Sequence, residues 1–385
     1  MNKMPVQSKI AKNIDRLLVA GKRGQAVMFT GPPGSGKFAA GLYFGRRFMC
    51  PTGGPDNCEC SSCRKIMTFN HPDFLLVFPF PNVAGESRKN TVFHFSDPVN
   101  SSAKYSDETS EEVRRFIGEK TADNYRIVTF EKKQNIPADV VRDLIRAIAR
   151  KPMLGDRRVV MVCDVEKMAF GAADLFLKTV EEPPEDTLVI LTCSRPNLLQ
   201  PTLLSRVFKF RMTPAPDEEI RKYLSRNDLE FAEFHIRFSM GSPGMARRAV
   251  EDELEKRRDA LWNIVKNYIE TGGLAPTIDK LRRHFWRPDF DEVRNDFKLL
   301  IMILRDIYVC KFGLDNRLTN TDIDSEIKTA AGKAPAPPIL RKWLAAAVKA
   351  MRVHEVNNVS ADLAFIGAFI EFHKAVELSD GENGR

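Results

Sequence analysis

The chain has 385 residues, more than one hydrophobic core ordinarily accommodates, and this length favours two or three domains of roughly 100–200 residues each. Hydrophobic residues make up 43% and charged residues 29%, and no apolar run of about 18 residues occurs, so no membrane-spanning helix is predicted. The net charge of +8 comes almost entirely from residues 1–80, where eleven Lys and Arg face four Asp and Glu. A basic region of this kind favours nearby nucleic acid and equally fits solvated surface charge.

The first elements form a helix, a strand, a glycine-rich loop and a second helix. Apolar residues recur at helical spacing from Ser8 to Ala20, and this segment lacks the apolar core of a secretion signal, so we expect a cytoplasmic protein. Gln25–Thr30 has the composition of a buried strand, and Lys37–Met49 that of a helix.

Further strands and helices alternate along the next part of the chain. Strands are predicted at Phe74–Phe78, Arg126–Phe130, Val159–Cys163 and Leu188–Thr192, and helices at Ala138–Arg150 and Gly171–Glu182. This alternation predicts an α/β domain over residues 1–210, with a parallel sheet and helices on both faces. Residues 81–125 differ: they are polar and turn-rich, and we interpret them as an insertion in which only Thr91–Phe95 and Val113–Ile117 are candidates for ordered structure.

The remainder of the chain is predicted to be helical. After Pro214–Pro216, three short helices are predicted at Asp217–Arg226, Leu229–Met240 and Pro243–Lys256. They define a small helical domain over residues 211–256. Longer helices are predicted at Asp259–Ile269, Phe290–Tyr308, Pro338–Met351 and Ser360–Ala375. These define an all-helical domain over residues 257–385.

The glycine-rich loop matches the phosphate-loop pattern in all but its last position. Its residues are Gly31, Pro32, Pro33, Gly34, Ser35, Gly36 and Lys37. Glycines let backbone N–H groups curl around phosphate oxygens at a helix N-terminus, and the lysine reaches the terminal phosphates. The loop therefore predicts a site for ATP or ADP.

Two positions that metal-dependent hydrolysis requires are altered. Phe38 stands where a Ser or Thr hydroxyl would bind Mg²⁺. The strand at Val159 ends in Cys163 and Asp164, so one carboxylate is present where two acids are expected. Asp164 is equally explained as a helix cap. Bound Mg²⁺ and strong ATPase activity are therefore not expected.

Four of the seven cysteines lie within fourteen residues, at Cys50, Cys58, Cys60 and Cys63. In a reducing compartment such a cluster indicates metal binding before disulfides, and four thiolates fill a tetrahedral zinc site with no position left for water. We therefore predict a structural zinc module at residues 50–63. The single residue between Cys58 and Cys60 is a tighter spacing than is usual.

Several motifs occur in an order that resembles the clamp-loader subunits of bacterial DNA polymerase III, which belong to the AAA+ class of phosphate-loop proteins. They are the GPPGSGK loop, the cysteine cluster after the following helix, His71–Asp73 (HPD), Leu177–Pro184 (LKTVEEPP) and Leu204–Arg206 (LSR). The likeness extends over nearly the whole chain, except for residues 81–125.

The resemblance implies roles for three residues. Ser205 and Arg206 match the arginine-finger motif, in which the arginine reaches a neighbouring subunit's ATP, although Val207 replaces the usual cysteine. Motor subunits of the family carry a lid arginine after a Gly-Ser pair, and Gly244 occupies that position here. A chain whose own ATPase site is altered while its arginine-finger motif is intact resembles the delta-prime type of subunit.

The resemblance also implies the function and partners. The expected function is loading of the sliding clamp onto primer-template DNA, within a five-membered ring of tau/gamma-like and delta-like subunits, by a chain that is a weak or inactive ATPase. Two alternatives stay open: an active tau/gamma-like motor subunit, and a zinc-containing DNA-binding module that acts outside the clamp loader.

Overall fold

The computed structural model describes residues 7–19, 24–54, 58–81, 107–130, 134–284, 290–357 and 359–383. The chain forms two compact units. The first comprises Met1–Tyr223 with Gly241–Met245, and the second Leu224–Met240 with Ala246–Arg385. The finer division at residues 210 and 256 stays a prediction.

The first unit is built on a parallel sheet of five strands in the order β2-β5-β6-β1-β7. In chain order the strands of the unit are β1 (Gln25–Thr30), β2 (Phe74–Val77), β3 (Phe80–Pro81), β4 (Gln134–Asn135), β5 (Arg158–Val162), β6 (Thr187–Cys193) and β7 (Phe208–Arg211). Strands β3 and β4 form a separate antiparallel pair. The predicted parallel α/β fold is confirmed.

The three central strands are apolar because they are enclosed on both faces. Every residue of β5 and β6 is buried, and only the end residues of β1 are partly exposed. Continuous Val, Ile and Leu runs suit such strands, which explains why their sequence predicted them well. Strand β7 was not predicted, because this edge strand buries only Phe210 and exposes its other residues.

In the part of the chain that the structure describes, eight α-helices belong mainly to the first unit. They are α1 (Ser8–Val19), α2 (Lys37–Met49), α3 (Ser61–Met67), α4 (Asp107–Ala122), α5 (Ala138–Ile148), α6 (Ala172–Glu181), α7 (Pro201–Leu204) and α8 (Asp217–Arg226). Five of them begin and end close to their predicted bounds, whereas α3, α4 and α7 were not predicted as helices. Within the polar insertion, the candidate piece Val113–Ile117 lies inside α4, and Thr91–Phe95 falls outside the described residues.

The prediction of a strand at Arg126–Phe130 is wrong, since these residues form neither strand nor helix. Their hydrogen bonds and ring contacts are made with α4 and not with a neighbouring strand. Arg115 donates a 2.6 Å hydrogen bond to the Thr129 carbonyl, and the Phe130 ring stacks on Phe116. An apolar run of strand-like composition therefore packs along a helix.

The rest of the chain is helical, as predicted. Its helices are α9 (Glu233–Phe238), α10 (Pro243–Glu251), α11 (Leu254–Thr271), α12 (Leu274–His284), α13 (Phe290–Cys310), α14 (Asp324–Lys333), α15 (Pro337–Asn357) and α16 (Ala361–Asn383). The α12 and α14 helices were not predicted. Among the described residues, no helix is long and apolar enough to cross a membrane.

The core of the second unit combines aromatic packing with a buried charge. Tyr268 of α11 contacts Trp343 and Phe369 with ring centroids 5.5 and 5.4 Å apart. The Arg258 side chain is 1% exposed and donates to both carboxylate oxygens of Asp322. A buried guanidinium requires such partners, because an uncompensated charge would destabilise the fold strongly.

Candidate functional site

The phosphate loop lies where its mechanism requires it, between the end of β1 and the start of α2. Gly34 and Gly36 adopt φ angles of 70° and 92°, in the left-handed region that favours glycine. No side chain caps the N-terminus of α2. The local backbone is therefore that of a loop able to present N–H groups to an anion.

The loop lysine is turned onto its own loop. The Lys37 ammonium donates 2.8 Å hydrogen bonds to the carbonyls of Gly31 and Pro32, and the residue is 7% exposed. Burial lowers the pKa of Lys37, against the opposing effect of Asp164 and Glu166. Two of its three donors are thus satisfied by backbone oxygens of the loop.

Two other segments of the same unit cover the loop. A Cβ placed on Gly36 would lie 2.5 Å from a ring carbon of Tyr125. The Gly244 N–H donates to the Gly34 carbonyl at 3.0 Å, and the Ser242 hydroxyl donates to the Pro33 carbonyl at 2.8 Å. Gly34 and Gly36 are therefore packed against protein, while Pro32 and Pro33 of the loop are exposed.

Gly244 is closely confined. A Cβ at this position would lie 2.2 Å from the Tyr125 carbonyl oxygen and 2.7 Å from the Gly34 Cα, distances that no side chain tolerates. The position at which motor subunits are expected to carry a lid arginine therefore has no room for any larger residue in this structure.

Phe38 lies in an aromatic cluster. Its ring lies 5.9 Å from that of Phe69 and 6.3 Å from that of Phe116. The Lys120 ammonium, contributed by α4, lies 4.7 Å from the centroid of the Phe38 ring and donates to the Arg126 carbonyl. This is the geometry of a cation–π contact.

Cys163 and Asp164 follow the end of the β5 strand. Asp164 follows β5 with a left-handed φ of 46°, and its backbone N–H donates to the Thr192 hydroxyl at 3.0 Å. It occupies the cap position of a short 3-10 helix, but its side chain makes no capping hydrogen bond. Burial raises the pKa of the neighbouring Cys163 thiol, which keeps it protonated.

Glu166 is a residue that the sequence analysis missed. It is the next acid after Asp164, and one oxygen of its carboxylate accepts hydrogen bonds from the backbone N–H groups of Ser194 and Arg195 at 2.8 and 3.2 Å. Val165, between the two acids, is buried. Phe38 supplies no hydroxyl ligand for Mg²⁺, whereas the second Glu166 oxygen is buried and has no hydrogen-bond partner among the described residues.

The predicted arginine finger lies at the surface. The Arg206 side chain is 33% exposed, and its Nε donates to Glu181 at 2.8 Å. Its Nη1 donates to the Thr202 carbonyl at 2.9 Å, while the nearby Ser205 hydroxyl donates to the same carbonyl. Within the described residues, the Nη2 nitrogen has no partner. The guanidinium is therefore oriented by its own chain while one end stays open.

The four clustered cysteines come together, and their sulfur atoms all lie within 4.8 Å of one another. The Cys50 sulfur is 3.6 Å from that of Cys58 and 3.8 Å from that of Cys60. Sulfur atoms around a zinc ion at about 2.3 Å would be about 3.8 Å apart in a tetrahedron. The cluster could therefore hold a metal ion, and the short Cys58–Cys60 spacing does not separate the ligands.

Comparison with known proteins identifies the family. A family model described as "DNA polymerase III, delta subunit" matches residues 6–216, which is more than half of the chain. The chain belongs to this family. The DNA polymerase III subunit delta′ of Bacillus subtilis (strain 168) is 23% identical over 372 residues, covering 92% of this chain and 93% of that protein. The delta′ subunit of Escherichia coli (strain K12) is 25% identical over 260 residues, covering 66% and 62%.

These relatives make the chain a delta-prime-type clamp-loader subunit, and the predicted resemblance is confirmed. A solved structure of a DNA polymerase III gamma subunit-related protein from Thermotoga maritima MSB8 aligns over 97% of this chain and 99% of that one, at 16% identity and a TM-score of 0.41. The family assignment itself does not fix the role of any residue of this subunit.

Two residues at the phosphate loop of this delta-prime-type subunit had no signal in the sequence. Lys120 and Tyr125 lie at the end of the polar insertion, in a stretch of ordinary charged and polar composition. A basic residue among Val113, Phe116 and Ile117 at helical spacing was the only available clue, and it does not reveal which ring the ammonium contacts.

Proposed function

We propose that this delta-prime-type subunit acts in clamp loading by lending Arg206 to the ATP of a neighbouring subunit, while its own phosphate loop does not hydrolyse ATP. It would assemble with tau/gamma-like and delta-like subunits in a five-membered ring that loads the sliding clamp onto primer-template DNA. The proposal includes a cytoplasmic location and the predicted lid (211–256) and collar (257–385) domains.

The exposed, oriented guanidinium of Arg206 carries this proposal. Glu181 and Thr202 engage Nε and Nη1, which fixes the plane of the group, and Nη2 has no hydrogen-bond partner among the described residues. A preoriented cation costs little reorganisation when it meets the charge that develops on transferring phosphate. Ser205 would support the same turn through its bond to Thr202.

The alternative of an active motor subunit is weaker. A motor requires a hydroxyl at position 38 and a free acid after the β5 strand, whereas Phe38 packs among aromatic rings and Glu166 accepts from two backbone N–H groups. Phe38 therefore offers Mg²⁺ no ligand atom, and Glu166 offers only its second carboxylate oxygen, which accepts no hydrogen bond among the described residues.

The alternative of an independent DNA-binding module depends on which charges of the basic N-terminal region reach solvent. Lys37 and Arg46 are buried, at 7% and 2% exposure, and Arg47 forms a 2.9 Å ion pair with Asp15. Lys37 and Arg46 are therefore withdrawn from the DNA backbone. This alternative rests on the exposed basic residues of the region, which in its described part are Lys9, Lys12, Arg16, Arg64 and Lys65.

The test is the ATPase and clamp-loading rate of a reconstituted complex. Arg206→Ala should reduce ATP turnover of the complex by about a thousandfold, the lower end of the contribution of arginine fingers, and should abolish clamp loading. The purified wild-type chain should hydrolyse ATP negligibly. Robust turnover by the isolated chain that Lys37→Ala abolishes would overturn the proposal.

We also propose that the cysteine cluster binds one structural zinc ion, which would tie the residues between α2 and α3 together. Elemental analysis of reduced protein should give one zinc per chain, and Cys63→Ser should lose it, since three thiolates bind zinc less well. Cys310→Ser, outside the cluster, should retain the metal. Less than about half an equivalent in wild type would count against zinc.

A further inference from the structure

The end of the polar insertion converges on the phosphate loop. Helix α4 carries Lys120 to Phe38, and the turn after it carries Tyr125 to Gly36. Both side chains are almost fully buried, at 8% and 6% exposure. Filling this pocket with a lysine ammonium and a phenol is costly unless each finds partners there.

We propose that the nucleotide site of this subunit is filled from within: the Lys120 ammonium takes the place of the divalent cation, and the Tyr125 ring closes the phosphate loop. The space around the phosphate loop is then occupied by protein side chains when no nucleotide is bound. This inference goes beyond the proposed function, and it does not depend on the role of Arg206.

The surroundings of Lys120 are those of a bound cation. The ammonium donates to the Arg126 carbonyl, and the rings of Phe38 and Phe116 lie 4.7 and 5.9 Å from it. Burial opposes the charge and lowers the pKa of Lys120, as Lys37 also does, while Asp164 and Asp123 favour the charge electrostatically. Asp164 is the strand-end carboxylate that a phosphate-loop enzyme would direct at its metal.

The Tyr125 ring is fixed in position by its own turn. The Tyr125 N–H donates to one oxygen of Asp123 at 2.9 Å, and the Tyr223 hydroxyl donates to the other. The rings of Tyr125 and Tyr223 also contact each other at 5.4 Å. Two partners on one carboxylate hold the turn, so the ring stays against Gly36.

Nucleotide binding by the purified full chain tests the closure. Wild type and Tyr125→Phe, which keeps the ring, should show no saturable binding of a fluorescent ATP analogue. Tyr125→Ala should bind it at least about tenfold more tightly, and without Mg²⁺, because Phe38 offers no metal ligand. Saturable wild-type binding as tight as that of Tyr125→Ala, or no binding by Tyr125→Ala, would overturn the closure.

A second comparison tests the substitution of the cation. Phe38→Thr with Tyr125→Ala supplies the missing hydroxyl but keeps Lys120, so Mg²⁺ should not tighten binding. Adding Lys120→Met should make binding at least about tenfold tighter in Mg²⁺ than in EDTA. Adding Lys342→Met instead, at an exposed lysine, should change nothing.

An equal response to Mg²⁺ with and without Lys120 would refute the cation role. Circular dichroism establishes that each variant is folded before it is titrated. If the triple variant does not fold, Tyr125→Ala alone still decides whether the loop is closed from within. Neither assay requires the assembled complex, so their outcome is separate from that of Arg206→Ala.

Discussion

The phosphate loop and the segment around Arg206 belong to the same unit, but their surroundings differ. The loop matches a nucleotide-binding motif almost completely, yet Lys37 donates to its own carbonyls and Tyr125 lies on Gly36. Arg206 belongs to a short and common-looking motif, yet its guanidinium is oriented and partly exposed. The phosphate-loop motif therefore indicates the fold, while the contacts of each residue decide whether it can bind nucleotide or reach a neighbouring subunit.

The largest expected effect separates the two regions directly. In a reconstituted complex, Lys37→Met should leave ATP turnover within about twofold of wild type, because its ammonium serves only its own loop, whereas Arg206→Ala should lower turnover about a thousandfold. Steady-state ATPase assays with primed DNA and clamp measure both. A similar loss from the two substitutions would show that this subunit's own site contributes to turnover.

Gly244 offers a test of how tightly the loop is closed. Gly244→Ala should lower the free energy of unfolding by about 1–3 kcal/mol, because the new Cβ would meet the Tyr125 carbonyl oxygen. Gly367→Ala in α16 is the matched control, since its Cβ would meet nothing within 4 Å, and it should be neutral or stabilising through helix propensity. Urea unfolding measures both, and equal destabilisation would contradict a closed loop.

Much of the fold could be predicted from the sequence because the central strands are buried on both faces. Continuous apolar runs identified β1, β5 and β6 to within one residue at each end. The same signal failed at Arg126–Phe130, where an apolar run packs along α4, and at β7, where an edge strand exposes three of its four residues. Apolar composition predicts that a segment is buried, but it does not predict which distant segment of the chain packs against it.

The sequence predicted which ligand groups the candidate site lacks. It did not predict which side chains occupy their place. Phe38 offers no ligand atom, so this one residue predicts the loss of the hydroxyl group that would bind Mg²⁺. That Lys120 places its ammonium over Phe38 depends on the path of α4, which local sequence does not determine. Glu166 was missed for a related reason, since its backbone partners follow a different strand.

The smallest expected effect concerns how Arg206 is oriented. Glu181→Gln keeps a hydrogen-bond acceptor but removes the charge that Nε contacts, and it should reduce ATP turnover of the complex by about two- to fivefold, as expected for a partly exposed ion pair. Glu182→Gln removes the same charge from the adjacent exposed residue and should have no effect. Because salt screens exposed pairs, the difference between the two variants should shrink as ionic strength rises. Equal turnover by the two variants at low salt would mean that Glu181 does not position the finger, and that Thr202 alone sets its direction.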